Sequence, residues 1–187
     1  MSGKKPGNIA TSVRQRLLNK ARSSQRPFSE LLQYYAMERF LYRLSKSPHA
    51  NRFILKGALM LRAWRSPEFR STMDIDLLGK TDNNEALVVS QIRDIIAVDA
   101  PSDGLVFDPA SIRAQRITED ADYEGIRIRS GACWIPPGSI CRSISVLEIS
   151  FFQGRKRQTF QSYWIYRRRV CFVTAVKAPL PKNSKPW

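Results

Sequence analysis

Apolar residues recur at helical spacing from Ile9 to about Ser23. Ile9, Val13, Leu17, Leu18 and Ala21 fall on one side, and Arg14, Arg16, Lys20 and Arg22 on the other. The pattern predicts an amphipathic helix with a solvated basic face. Pro27 and Phe28 open a second helix, with Ser29 as its cap, running through Leu31, Leu32, Tyr35, Phe40, Leu41 and Leu44 to about Ser47, where Pro48 ends it. Phe53-Ile54-Leu55 is a short apolar run followed by Lys56-Gly57-Ala58, and Leu59 to Trp64 reads as a helix. Residues 84–98 repeat the amphipathic pattern through Leu87, Val88, Ile92, Ile95 and Ile96. Leu105-Val106-Phe107, Ser111–Ile117 and Tyr123–Arg129 read as strands, the last alternating as Ile126, Arg127, Ile128, Arg129. Helices and strands are mixed along the chain, so the fold class is α/β or α+β.

One stretch carries candidate chemistry. Arg70-Ser71-Thr72-Met73-Asp74-Ile75-Asp76-Leu77-Leu78-Gly79 holds two carboxylates one residue apart. In a strand, residues i and i+2 share a face, so Asp74 and Asp76 stand side by side with Ile75 turned away. Paired carboxylates repel unless a cation bridges them, and Mg²⁺ is held by one or two carboxylates plus substrate phosphates. The pair is therefore a candidate metal clamp for phosphoryl or nucleotidyl transfer. By itself an Asp-x-Asp pair more often marks a solvated strand end. The Lys56-Gly57-Ala58 turn changes the balance, because a small-residue turn at a helix N-terminus lets backbone N–H groups approach phosphates closely.

Composition adds a second partner class. The chain has 187 residues, 43% of them hydrophobic, enough for one domain with a core. No apolar run approaches the ~18–20 residues that span a membrane. Met1–Gly7 is basic with no apolar segment behind it, unlike a secretory signal, so a soluble cytoplasmic protein is expected. The first residues, 1–8, are polar and expected to be disordered. Net charge is +15, which points to nucleic acid. The charge is uneven: residues 1–129 carry 21 Lys/Arg and 15 Asp/Glu, whereas residues 130–187 carry 10 Lys/Arg and one acid, Glu148. Cys133, Cys141 and Cys171 also lie in the second part, at spacings that fit no zinc pattern and in an odd number, so free thiols are expected. His49, the only histidine, sits in a Ser-Pro-His-Ala turn and reads as a loop residue.

The run FILKGALMLRAW followed by R-S-T-M-D-I-D-L-L-G resembles the signature of AbiEii/AbiGii-type nucleotidyltransferases, toxins of bacterial abortive-infection and toxin–antitoxin systems. NIATSVRQRLLNKAR, LLQYYAMERFLYRLSKSP and DYEGIRIR fit the same resemblance, which covers about Asn8 to Arg129. It implies a polymerase-β-like fold with a small mixed sheet and flanking helices. It implies that Asp74 and Asp76 bind Mg²⁺, and that Lys56, Gly57 and Ala58 form the turn cradling an NTP triphosphate. Arg70 and Thr72 would support phosphate binding or strand geometry. Ala58 stands where relatives often carry glycine. The acceptor implied is RNA, including tRNA ends, and the partner implied is a cognate antitoxin.

The resemblance breaks after Arg129. The family's I-D-I-G-F-G-D segment, which supplies a third carboxylate, and its later A-E-K motif are missing, and Glu148 is a poor replacement. A shift of reading frame explains this. With each codon taken from the last base of one triplet and the first two of the next, Cys141–Ile149 can encode QIDIGFGD and Leu180–Trp187 can encode AEKFEAM. Residues 1–129 are then expected to be the nucleotidyltransferase domain, and 130–187 an aberrant basic tail, out of frame or disordered. Loss of the third carboxylate predicts impaired transfer. The alternatives are an inactive remnant that binds nucleotide or antitoxin, and a basic RNA-binding protein using Arg155-Lys156-Arg157 and Arg167-Arg168-Arg169 with Tyr163, Trp164 and Tyr166.

Overall fold

The computed structural model describes residues 6–59, 72–101, 103–119, 123–134 and 142–153. Helices α1 (Pro6–Ser24) and α2 (Phe28–Lys46) follow the two amphipathic segments. Ala10, Val13 and Leu17 on α1 and Ala36, Met37, Phe40, Leu41 and Leu44 on α2 enter one core. The cap of α2 is Pro27, not Ser29. Proline needs no N–H at a helix start, its φ of −55° fits the turn, and its carbonyl accepts from Glu30 N at 3.1 Å, with no side-chain cap. At the other end Ser47 N and Ser47 Oγ both donate to Leu44 O. Helix α3 (Glu85–Ile96) starts where Asn84 Oδ1 accepts from Leu87 N at 3.1 Å and buries Val88, Ile92, Ile95 and Ile96.

The six strands form one mixed sheet. They are β1 (Phe53–Lys56), β2 (Asp74–Gly79), β3 (Leu105–Phe107), β4 (Arg113–Glu119), β5 (Tyr123–Trp134) and β6 (Arg142–Gln153). The order is β1-β2-β6-β5-β3, with β4 pairing the other half of β5. β2 runs antiparallel to β1 and parallel to β6, and every other pair is antiparallel. The expected strand Ser111–Ile117 begins later, because Pro109–Ser111 form a 3₁₀ turn capped by Asp108. That turn locks onto β5, where Gly131 N donates to Ser111 Oγ at 2.7 Å and Gly131 O accepts from Asp108 N.

One sheet face carries Phe53, Ile75, Leu77, Ile126, Ile128, Ile149 and Phe151, which join α1, α2 and α3 in the core. The opposite face is mixed, with an apolar row of Ile54, Leu78, Phe152 and Ile117 beside charged rows, and the carboxylate pair stands in those rows. A buried ionic cluster ties α2 to the segment before β3. Asp103 Oδ2 lies 3.1 Å from Arg39 Nε and 3.0 Å from Arg43 Nη1, its Oδ1 accepts from Leu105 N, and its carbonyl accepts from Tyr35 OH at 2.8 Å. Burial, then the nearby Asp103 charge, pushes the Tyr35 hydroxyl well above its ordinary range. His49 is buried and bonds Asp94 of α3 at 2.9 Å through Nε2, so it is a structural tie between the post-α2 turn and α3.

The break expected at Arg129 does not coincide with an end of the sheet. β5 continues to Trp134, and β6 inserts between β2 and β5 with Ile149 and Phe151 in the core. A strand needs only alternation that fits the pleat, and Glu148-Ile149-Ser150-Phe151 supplies it. Cys133 is in a disulfide, correcting the expectation of free thiols. Residues 154–187 and their basic clusters, like residues 1–5 and the body of the helix predicted over Leu59–Trp64, lie outside the described residues. No helix among those described is long and apolar enough to cross a membrane.

Candidate active site

β2 owes its orientation to burial. Ile75 and Leu77 are fully buried, each contributing about 1.5–3 kcal/mol, and a one-residue slip would exchange them for the carboxylates. Asp74 and Asp76 therefore project from the open face, Asp74 exposed and Asp76 half-buried. The start of the strand is held by α2, whose Gln33 Nε2 donates to Met73 O at 3.0 Å. Thr72 Oγ1 lies 3.5 Å from Asp74 O, longer than an ordinary O–H···O hydrogen bond. Arg70 lies outside the described residues.

The turn after β1 reaches the same carboxylates. Register pairs Lys56 with Asp76, and residues 57–59 begin a helical turn. Gly57 has φ +69°, and a Cβ there would collide with Asp76 Oδ2. Only glycine permits this close approach of the turn backbone to the carboxylate. Ala58 follows half-buried. Lys56 Nζ lies 5.4 Å from the centre of the Phe152 ring, on the open face. Phe152 in turn covers Gly125, where a Cβ would come 3.1 Å from the ring and 2.9 Å from Phe151 O. The glycine of Tyr123-Glu124-Gly125-Ile126-Arg127 thus makes room for the aromatic residue beneath Lys56.

Sequence reasoning weighed Glu148 and set it aside as a poor replacement for the third carboxylate. Register sets it directly beside Asp74, on the same face and on the adjacent parallel strand. The signal was present in Leu147-Glu148-Ile149, an acid between apolar neighbours like Met73-Asp74-Ile75. Its carboxylate is turned toward β5: Oε1 is 2.7 Å from Arg127 Nε and Oε2 is 3.1 Å from Arg129 Nε. Among the described residues no three His, Cys, Asp or Glu side chains gather as a metal-holding group. The site's donors are hard carboxylate oxygens, a type that suits Mg²⁺ better than a soft metal.

The chain matches the family model of the nucleotidyl transferase AbiEii toxin, type IV toxin–antitoxin system, over residues 39–159. It belongs to the AbiEii nucleotidyl transferase toxin family. The match includes β1, the Gly57 turn, β2 and β6, so the whole described site lies within the AbiEii segment, and it runs on past Arg129. The mixed sheet with helices on one face is the nucleotidyltransferase-type architecture of that family. No curated protein matches the chain.

Proposed function

We propose that this AbiEii-family protein transfers NMP from an NTP to a hydroxyl of an RNA acceptor, with Mg²⁺, and that it does so slowly. The observation that supports the reading is the fit of the Gly57 turn against Asp76, which sets the turn's backbone beside the carboxylate pair. Asp74 and Asp76 are the residues that would hold Mg²⁺, which when bound offsets charge on the triphosphate and on the reacting oxygens. Gly57 and Ala58 present backbone N–H groups to the triphosphate, and Lys56 adds a positive charge on the same face. The acceptor hydroxyl gives its proton to water, its oxygen forms a bond to the α-phosphorus, the bond from that phosphorus to the bridging oxygen breaks, and pyrophosphate leaves. Glu148 is placed to assist at the acceptor side, but its two oxygens face Arg127 and Arg129. That engagement, in place of a free third carboxylate, is the reason to expect a low rate. A cognate antitoxin is the partner that the family implies.

The test is incubation of the full chain with each labelled NTP, Mg²⁺ and total RNA. Weak label transfer to RNA, abolished by Asp74→Ala, by Asp76→Ala and by chelation, is the expected result. Transfer that survives Asp74→Ala overturns the assignment. Complete absence of transfer with retained NTP binding favours the second reading, an inactive nucleotide-binding remnant, for which the engaged Glu148 is the supporting observation.

A further inference from the structure

The open face of the sheet carries charge in ordered rows. Register aligns Asp74, Glu148, Arg129 and Arg113 across β2, β6, β5 and β4. The next row is Lys56, Asp76, Ser150, Arg127 and Gln115. Carboxylates thus occupy the β2 side and guanidiniums the β5–β4 side. The two β5 guanidiniums both meet Glu148 through Nε, and no other side-chain partner meets either one among the described residues. A guanidinium has five N–H donors: Arg129 Nε donates to Glu148 Oε2, Arg127 Nε is paired with Oε1 by charge without a hydrogen bond, and both leave the outer fork available. Arg129 is 53% exposed and Arg127 32%, against 27% for Glu148. The cluster carries two positive charges and one negative. Arg113 is held next in the row by Ala110 O and Ile112 O, both at 2.9 Å from Nη1.

We infer that this strip binds phosphates of the acceptor strand, with Arg127 and Arg129 as the contacting residues and Glu148 as the counterion that positions them. The inference rests on the transferase reading and names the site for its acceptor. Two features separate this phosphate site from the nucleotide's. The Gly57 turn follows β1, and β5 lies three strands away, roughly 14 Å at ordinary strand spacing. A triphosphate seated on the turn therefore occupies the other flank of the carboxylates. The cations are also repeated, with Arg127 and Arg129 about 7 Å apart along β5 and Arg113 beyond, a layout that suits successive phosphates of one strand better than a single compact anion. Glu148 then acts through the arginines as a positioning residue, which explains why a carboxylate beside Asp74 turns away from it.

The measurement is binding of the full chain to a labelled single-stranded RNA oligonucleotide in EDTA, by anisotropy, across a salt series. NTP affinity with Mg²⁺ is measured in parallel. Arg127→Gln/Arg129→Gln is expected to weaken RNA binding severalfold and to flatten the slope of log K against log salt by ~0.7 for each phosphate no longer neutralised, while NTP affinity stands. Glu148→Gln, which leaves one acceptor oxygen for two guanidiniums, is expected to weaken RNA binding less than the double arginine variant does and to leave NTP affinity unchanged. Single Arg129→Gln serves if the double variant loses its wild-type melting curve. Unchanged RNA affinity and slope in the folded arginine variants overturn the inference. So does a loss confined to NTP affinity, which would give these arginines to the nucleotide. Arginine-dependent RNA binding without any label transfer would sink the transferase reading and leave this site standing.

Discussion

At the scale of single residues the site turns on Gly57. The turn's glycine was visible in the sequence, but its reason was not, because the collision is with Asp76, which arrives from another strand. A Gly57→Ala variant has to escape both a left-handed φ, at about 1–3 kcal/mol, and the carboxylate itself. The expected outcome is loss of NTP binding with a lowered melting temperature, whereas Ala58→Gly, which restores the residue common in relatives, leaves NTP binding intact. Glu38 gives a second residue-scale prediction. Burial, partly opposed by Arg39, raises its pKa from 4.5 to about 7, and Oε1 is buried without a hydrogen bond. The folded chain therefore keeps a proton that the unfolded chain releases, and stability falls as pH rises between those values. Glu38→Gln is expected to raise the melting temperature at pH 8 and to leave it nearly unchanged at pH 4.

At the scale of elements, the helices and β2 were legible because each buries one stripe, and periodicity records that directly. β6 was missed because the stretch after Arg129 was set aside as aberrant, although Glu148-Ile149-Ser150-Phe151 alternates and the family match runs through it. Glu148 was named and judged a poor replacement, because its place beside Asp74 comes from a parallel pairing between segments some seventy residues apart. The Arg39–Asp103–Arg43 cluster was invisible, since Asp103 reads as an ordinary loop acid. It fastens α2, the helix that holds Met73, to the approach of β3. Asp103→Ala leaves two buried guanidiniums facing one another and is expected to cost about 3–5 kcal/mol in chemical denaturation. Asp94→Asn, whose partner His49 is buried but whose own side chain is 61% exposed, is expected to cost far less.

For the whole molecule, the family text and the sheet divide the chain differently. Family wording fades after Arg129, but the family match continues to residue 159 and the sheet closes only with β6. The two are compatible if the strand position tolerates any correctly alternating segment. We propose that the gene leaves its ancestral frame after about the codon of Ser130. The DNA from the Gly125 codon through that of Trp187, read in the shifted frame, is then expected to encode QIDIGFGD followed by AEKFEAM. A shifted frame full of stop codons discards the proposal and makes Glu148 an ancestral residue.

The parallel seam between β2 and β6 has a consequence in time. During synthesis β1 can pair with β2 soon after both emerge, but the other edge of β2 waits for residues 142–153. Until then the carboxylate strand is an unprotected sheet edge, with Ile75 and Leu77 lacking the neighbours that bury them. A growing chain of this toxin family is therefore without an assembled site while most of its message is being read.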